Sequence, residues 1–233
     1  MPNVKSYIIK QINRHLYGIQ TIQEIAENVG LTSSIQALQD WQNKRFLITH
    51  KDIHENPDSK EAIEVLVYTL FSQQAFMHKG FNSSERITKA CRFLPKEILR
   101  MLASGLQLNL ISLELDFELA QKTKTTSINQ DIYAHTYLVT YNTSLRQKQL
   151  STVKQLGDDI ATLNLYWGTA SLLALYKRPA KFFGVEELHE FIELVYRAFN
   201  QTPDSKEFFN RILSKESELM TETLQHSPTK LKA

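Results

Sequence analysis

The chain contains little glycine, proline and cysteine. Seven Gly and six Pro are few for 233 residues, whereas Leu, Gln, Glu and Lys are abundant. This composition favours α-helices, because glycine and proline interrupt helices and the abundant residues are strong helix formers. The single cysteine, Cys91, excludes an internal disulfide and a cysteine-based zinc motif, and it fits a reducing compartment.

The chain also lacks an excess of one charge and a long apolar run. Its 27 Lys and Arg against 25 Asp and Glu leave a formal net charge of +2, which is too small to indicate a nucleic-acid or membrane partner. No window contains the roughly 18 uninterrupted apolar residues of a membrane span. Charged and polar residues interrupt residues 1–18, which do not match a signal peptide. We therefore expect a soluble cytoplasmic protein without a nucleic-acid or membrane partner.

The common catalytic and phosphate-binding motifs are absent from the sequence. It has no Gly-rich phosphate loop, no GxSxG nucleophile elbow and no HExxH metal motif. Its one E-x-x-H pair, Glu186 and His189, lacks the second pair that a carboxylate-bridged di-iron bundle requires. We assign no catalytic residue, and the cofactor stays unknown.

Residues 94–120 form the longest stretch rich in large apolar side chains, and residues 101–113 within it carry no charge. Over 106–119 apolar and polar residues partly alternate, which is typical of a strand. The residues there are Leu, Gln, Glu and Asp rather than Val, Ile and Thr, and Leu110 and Ile111 break the alternation, so helix is favoured. We predict a buried central helix, with a strand over 106–119 as the alternative.

Helical periodicity extends over most of the chain. We predict an all-α fold, a single multi-helix globular bundle of about nine or ten helices around the buried central helix, without internal repeats. The predicted helices cover residues 4–25, 34–55, 60–78, 85–93, 94–120, 128–146, 150–165, 169–176 and 185–200. A last helix follows the helix-capping signal at 202–204 and ends near 224. The first can divide at Gly18. The domain spans 1–225, with a possible sub-domain boundary at 122–127, and 226–233 is expected to be a flexible tail.

A stripe on the helix predicted for 34–55 is a candidate ligand-binding site. Trp41, Arg45 and Asp52 lie on one side of this helix at helical spacing. An arginine beside a tryptophan can bind an anion and stack on it. The alternative is a buried arginine–carboxylate pair that holds one helix against another.

Three tyrosines in the helix predicted for 128–146 recur every four residues and share a face. They are Tyr133, Tyr137 and Tyr141. This face forms either part of the core or one wall of a ligand cavity. In the central stretch, Glu114 and Asp116 diverge on a helix, and they can reach Arg45 or Arg100. The tyrosines and both acids join the candidate ligand-binding residues.

Two histidines and the cysteine are further candidates. His50 and His54 are four residues apart and would share a helix face, a spacing that can bind a metal; a solvated helix end is the alternative. Lys89 and Arg92 flank Cys91 and would lower the pKa of its thiol. No histidine is near Cys91 in the sequence, so we expect a half-buried, unreactive thiol.

Six segments together resemble a known bacterial family. In chain order they are WQNKRFLITHKDIHENP, AIEVLVYTLFS, LPKEILRMLASGLQLNLISLELDFEL, LGDDIATL, RPAKFFGVEELHEFIELVYRAF and EFFNRILSKE. They are similar to the FFLEELY-motif proteins, whose function is uncharacterised, and the resemblance covers about 35–216. Where that family has FFLEELY, this chain has VLVYTLF at 65–71, with Tyr68 and Thr69 in place of the two acids.

The resemblance implies an all-helical cytoplasmic protein and brings no activity, substrate or cofactor with it. The matching polar positions are Trp41, Arg45, His50, Asp52, Glu114 and Asp116. Any metal-binding or acid–base role that the two acids of the family motif have elsewhere does not carry over to Tyr68 and Thr69.

We expect a non-enzymatic interaction or regulatory module that binds a partner protein or self-associates as a homodimer, because the charge is near neutral and no catalytic constellation is present. The alternative is a helical bundle with an internal pocket, of haem or diiron type, that binds or transforms a small molecule. This alternative rests on the seven histidines, the tyrosine row and the Arg45 stripe.

Overall fold

The computed structural model describes residues 4–72, 84–123, 125–140, 142–164 and 169–225. Over these residues the protein forms eleven α-helices and no β-strand, which confirms the all-α fold and slightly exceeds the predicted number of helices. The helices are α1 Val4–Asn28, α2 Thr32–Thr49, α3 Lys51–His54, α4 Pro57–Phe71, α5 Ser84–Cys91, α6 Lys96–Thr123, α7 Gln130–Thr140, α8 Thr143–Asn164, α9 Thr169–Phe183, α10 Glu186–Asn200 and α11 Ser205–Gln225.

The central helix α6 organises the bundle. Helices α1 and α8 make the most extensive contacts with it, and α2, α4 and α7 also pack on its surface. It runs as one helix through 106–119, so the alternative strand is wrong. Buried apolar residues from Ile98 to Ala120 lie on most of its sides, because neighbouring helices cover it from several directions.

By length and composition α6 also meets the criteria for a membrane-crossing helix. The core helix of a soluble protein meets the same criteria, and most of the apolar window of α6 lies inside the fold. This feature is therefore weak evidence for a membrane span, and burial in the bundle accounts for the composition.

Two predicted features of the first helices differ from the structure. Gly18 does not divide α1; it allows close packing, since a Cβ there would lie 3.0 Å from Leu110 of α6. The helix predicted for 34–55 is interrupted at His50, whose backbone leaves the helical region at φ −108° and ψ 35°. The interruption places the His50 side chain in the interior, where it is 1% exposed.

The next boundary also differs from its prediction. α4 begins at Pro57, three residues before its predicted start at 60, and Asn56 caps it, because the Asn56 side-chain oxygen accepts a hydrogen bond from the backbone N–H of Asp58. The Ser59 hydroxyl donates to the carbonyl oxygen of Ile53. The end predicted for this helix, at 73–78, lies outside the described residues.

The helix predicted for 128–146 is two helices. α7 ends at Thr140, and Asn142 then caps α8 by accepting a hydrogen bond from the backbone N–H of Leu145. Residues 143–146 therefore form the first turn of α8, seven positions before the start expected for that helix at 150. This break determines where Arg146 lies.

The predicted end of the short helix at 169–176 is also wrong. Pro179 lies inside α9, which continues to Phe183. A proline inside a helix removes one main-chain hydrogen bond, but packing of the flanking turns can maintain the helix. Tyr176 and Ala180 are both buried beside it.

One hydrophobic cluster contains buried residues from α1 through α11. Its members lie on both sides of the polar connection at 122–127. The sub-domain boundary there remains a prediction, and the predicted tail, 226–233, lies outside the described residues.

Candidate functional site

A cavity of about 110 Å³ lies between α2, α7, α8 and α11. Its lining combines three aromatic rings, aliphatic side chains and three charged residues. The lining residues are Trp41, Arg45, Gln130, Tyr133, Ala134, Tyr137, Arg146, Gln149, Leu150, Glu216, Leu219, Met220 and Thr223. A second cavity of about 60 Å³ adjoins it and shares Arg45, Tyr133, Arg146 and Glu216.

One side of the cavity is an ion pair that a histidine supports. Nη1 of Arg45 donates to both carboxylate oxygens of Glu216, at 2.6 and 2.8 Å. Nε2 of the buried His50 donates to Oε1 of Glu216 at 3.0 Å. Burial alone would raise the pKa of Glu216, but the His50 hydrogen bond and the Arg45 charge outweigh burial and lower it. Glu216 is therefore an ionised carboxylate whose two oxygens both accept hydrogen bonds from Arg45 or His50.

A second part of the lining, the aromatic wall, consists of Trp41, Tyr133 and Tyr137. Trp41 and Tyr133 stack with ring centroids 4.2 Å apart and planes at 27°. Tyr137 follows Tyr133 on the same face of α7, at a centroid distance of 6.0 Å. Helix spacing explains the tyrosine pair, and the packing of α2 against α7 adds the tryptophan. The wall offers flat apolar surface for stacking.

Arg146 enters the cavity from the first turn of α8. Its guanidinium lies over the Tyr137 ring, 3.9 Å from the centroid. Within the described residues no carboxylate lies within 4 Å of this guanidinium, so Arg146 has no acidic partner there. Burial raises the pKa of the Tyr137 hydroxyl to about 12, although the Arg146 charge opposes the rise. The phenol is therefore neutral, and Arg146 supplies a positive charge that no carboxylate among the described residues contacts directly.

A buried acid lies behind the aromatic wall. Asp116 of α6 accepts hydrogen bonds from Nε2 of Gln39 at 2.9 Å and of Gln42 at 2.6 Å. The Tyr133 hydroxyl donates to Oε1 of Gln42 at 3.3 Å, which links this acid to the cavity wall. Burial raises the pKa of Asp116 to about 6, although the two glutamines and Arg146 favour the charged form.

The structure brings together Trp41, Arg45, Tyr133 and Tyr137 of the residues proposed from sequence. Asp116 contacts this group only through Gln42. Neither acid of α6 pairs with Arg45 through a described contact, because Glu216 occupies that position. Tyr141 lies outside the described residues.

The two remaining acids lie elsewhere. Asp52 does not join the Trp41 stripe, because the helix break at His50 turns it outward, where it pairs with Arg211. Glu114 is partly buried, and burial raises the pKa of its carboxyl despite the nearby Lys148 charge. Neither residue lines the cavity.

The two histidines of the candidate metal site do not face each other. His50 contacts Glu216, whereas Nε2 of His54 contacts Oε1 of Glu64 at 3.3 Å. The break at His50 removes the shared helix face on which the metal hypothesis was based. In the described part of the chain, no group of three or more His, Cys, Asp and Glu residues is arranged to bind a metal.

The histidine of the E-x-x-H pair, His189, has structural contacts. His189 is buried in α10, its Nε2 lies 2.9 Å from the carbonyl oxygen of Leu173, and its ring stacks on Tyr176. The histidine thereby joins α10 to α9.

Comparison with known proteins identifies the family. A family model described as a domain of unknown function, DUF8198, matches residues 21–230. The chain belongs to the DUF8198 family. No curated protein and no solved structure gives a significant match. The match covers every element of the DUF8198 domain that lines the cavity, from α2 to α11.

Two charged residues that line the cavity of this DUF8198 domain, Glu216 and Arg146, were not predicted from the sequence. Glu216 is one of many acids in a polar terminal helix, and its partners Arg45 and His50 are 171 and 166 positions away. Arg146 was predicted to end one helix, whereas it lies near the start of the next. The N-cap residue Asn142 was the local signal that could have identified the break before Arg146.

Proposed function

We propose that this domain binds a small organic molecule in the cavity between α2, α7, α8 and α11. The observation that carries the proposal is Arg146, a guanidinium that lines an aromatic cavity without an acidic partner among the described residues. Polar groups that converge on a concave aromatic surface are typical of ligand sites. The cavity presents fixed charge and stacking surface, and we assign no catalytic residue to it.

The metal-containing versions of this proposal have weaker support. The described lining residues include no histidine, no cysteine and one carboxylate, Glu216, which is already bound by Arg45 and His50. Haem and diiron sites need exposed imidazole, thiolate or several carboxylate ligands. We therefore propose a metal-free ligand.

Native mass spectrometry of the full chain purified from its natural host tests ligand binding. We expect added mass from a retained small molecule, and we expect Ala134→Phe to abolish it, because the larger side chain fills the cavity. Ala174→Phe on the exposed face of α9 is the matched control and should retain the ligand. An unmodified chain mass, together with no thermal stabilisation by a broad library of small organic molecules, would contradict the proposal.

A second proposal is self-association as a homodimer, which an exposed apolar surface on α9 favours. Leu175 and Phe182 are seven residues apart on this helix and are 69% and 82% exposed. Phe183 adjoins Phe182 and also lies 5.9 Å, between ring centroids, from the exposed Phe93. Exposed apolar side chains that share one helix face are typical of protein interfaces.

Sedimentation of the full chain tests self-association. We expect a dimer that Phe182→Ser converts to a monomer, whereas Ile48→Ser, which replaces an isolated side chain 75% exposed on α2, should leave it unchanged. A wild-type chain that stays monomeric at high concentration would contradict the homodimer.

The remaining expectations from the sequence stay proposals. These are a non-enzymatic regulatory or interaction role with a partner protein, the lack of a nucleic-acid or membrane partner, a bacterial origin, the cytoplasmic location and the membership of the FFLEELY-motif group. The group assignment is compatible with the match to DUF8198, which also carries no activity. A cell-fractionation experiment with the full chain in its natural host would test the location.

A further inference from the structure

The charges in the cavity indicate the sign of its ligand. Three described lining residues are charged: Arg45, Arg146 and Glu216. Arg45 and Glu216 neutralise each other through two short hydrogen bonds. Arg146 has no carboxylate in direct contact among the described residues and interacts with the buried Asp116 only at longer range, so its guanidinium can still bind an anion. Burying this guanidinium against a ligand without a counter-charge would be unfavourable.

A different reading of the same side chains is an aromatic cage for an ammonium group. Trp41, Tyr133, Tyr137 and a carboxylate are residues that such cages use. Here the carboxylate of Glu216 is occupied by Arg45 and His50. The face of Tyr137 is occupied by Arg146, which would repel a second cation. The geometry therefore disfavours a cationic ligand.

The aromatic wall and the cavity volume indicate the shape of the ligand. Trp41 and Tyr133 are stacked as a pair, so a flat ring can extend the stack along the wall. The cavity of about 110 Å³ and the adjoining cavity of about 60 Å³ together provide a volume comparable with the roughly 150 Å³ of an apolar cavity that holds a single benzene ring. The Arg146 guanidinium lies over the Tyr137 ring, and a guanidinium can bind a carboxylate through two parallel hydrogen bonds.

We propose that the ligand is a planar single-ring compound with one carboxylate, and that Arg146 binds the carboxylate while Trp41 and Tyr133 contact the ring. This inference rests on the proposed binding function and adds the ligand class to it. Arg45 does not bind the ligand carboxylate in this proposal, because its guanidinium is paired with Glu216. Tyr137 orients the Arg146 guanidinium through a cation–π contact.

Three probes of one shape and different charge test the inference: benzoate, benzamide and benzylammonium. We expect calorimetry with the full chain to show binding in the order benzoate, benzamide, benzylammonium. Arg146→Gln should weaken benzoate by about 10- to 100-fold while changing benzamide little, because one charge-assisted contact is removed. Arg146→Lys should restore part of the benzoate affinity. Circular dichroism checks that each variant is folded.

The outcomes separate the ligand class from the binding function. If benzamide or benzylammonium binds more tightly than benzoate, and Ala134→Phe abolishes that binding, the cavity binds ligands but the proposed class is wrong. If benzoate binds equally well to the wild-type chain and to Arg146→Gln, the assignment of Arg146 is overturned. If the folded wild-type chain binds none of the three at about 10 mM, a concentration above the Kd of even weak complexes, the proposed ligand class fails, whereas the binding function is decided by the mass spectrometry and the library screen.

Discussion

Arg45 and Glu216 are 171 positions apart in the chain, and Nη1 of Arg45 lies 2.6 and 2.8 Å from the two oxygens of Glu216. The pair joins α2 to α11, and His50 adds a third hydrogen-bonded side chain. The side chains of Arg45 and Glu216 are only 23% and 18% exposed, so water screens their attraction less than at the surface. The same pair closes one side of the candidate ligand cavity.

Loss of one partner from this pair should destabilise the protein. We expect Arg45→Met to lower the free energy of unfolding by about 2–4 kcal/mol, because it leaves Glu216 partly buried without its cation. The double variant Arg45→Met/Glu216→Met should lose less than the sum of the single variants. Urea denaturation of all four chains gives the coupling energy.

The exposed pair Lys51 and Glu55 is the matched control for this cycle. Its side chains are 70% and 65% exposed, and its coupling energy should lie below about 0.5 kcal/mol. A coupling energy for Arg45 and Glu216 as small as the control value would contradict the structural role given to the buried pair.

Gly157 allows α8 and α11 to pack closely. A Cβ at this position would lie 2.7–2.9 Å from three side-chain atoms of Phe209, which is too close for any real contact. Because Phe209 is buried at 2% exposure and cannot move freely, Gly157→Ala should destabilise the fold by about 1–3 kcal/mol. Thermal or urea denaturation measures this change.

Gly105 of α6, unlike Gly157, has space for a larger side chain. Among the described residues, no atom lies within 4 Å of a Cβ added there, so Gly105→Ala should stabilise the protein by up to about 1 kcal/mol through helix propensity. If both glycine variants shift the unfolding midpoint in the same direction, the described packing at one of these sites is wrong.

Asp116 should make stability depend on pH. Its pKa is raised from 3.8 to about 6 by burial, so the folded state prefers the protonated acid. The resulting stabilisation is fully present below the unfolded pKa and is lost as pH rises through about 6. Relative to wild type, Asp116→Asn should therefore gain up to about 3 kcal/mol of stability between about pH 4 and pH 7, since each pKa unit corresponds to about 1.4 kcal/mol.

Urea denaturation of both chains at a series of pH values checks this prediction. Asp131→Asn, in the exposed first turn of α7, is the control for the same chemical change on the surface. A stability difference between Asp116→Asn and wild type that does not vary with pH would show that Asp116 is ionised in the folded protein throughout.

Cys91 should be unreactive in the folded protein. The side chain is completely buried, and burial raises the pKa of its thiol to about 12, although Lys5 opposes the rise. Since the thiolate is the reactive form, alkylation at mildly alkaline pH should be slow and should become complete on unfolding. The exposed variant Ser151→Cys, on α8, sets the rate for an accessible thiol. Alkylation of native Cys91 at a comparable rate would contradict this assignment.

Local sequence signals predicted the helices better than their ends. The apolar composition of 94–120 predicted a buried helix, and α6 has that position. Ends were misplaced where tertiary packing changed the backbone, as at His50, or maintained a helix through a proline, as at Pro179. The helix boundary at Asn142 was missed although its capping side chain is a local signal.

Periodicity also placed parts of the candidate site on common faces, since residues three or four apart share a helix side. Tyr133 and Tyr137 contact each other for this reason, and Trp41 and Arg45 both line the cavity. The sequence left open whether the tyrosine face was core or cavity wall. Both Tyr133 and Tyr137 are largely buried and also line the cavity, so the two alternatives were not exclusive.

The sequence by itself determined that the chain is helical and that α6 is buried, because composition and periodicity act over a few neighbouring residues. Only the tertiary structure decided which acid binds Arg45, and it selected Glu216 rather than Glu114 or Asp116. It likewise placed Arg146 over Tyr137 without a described acidic partner. Such contacts depend on how α2, α7, α8 and α11 pack around α6, and no spacing in the sequence contains that information.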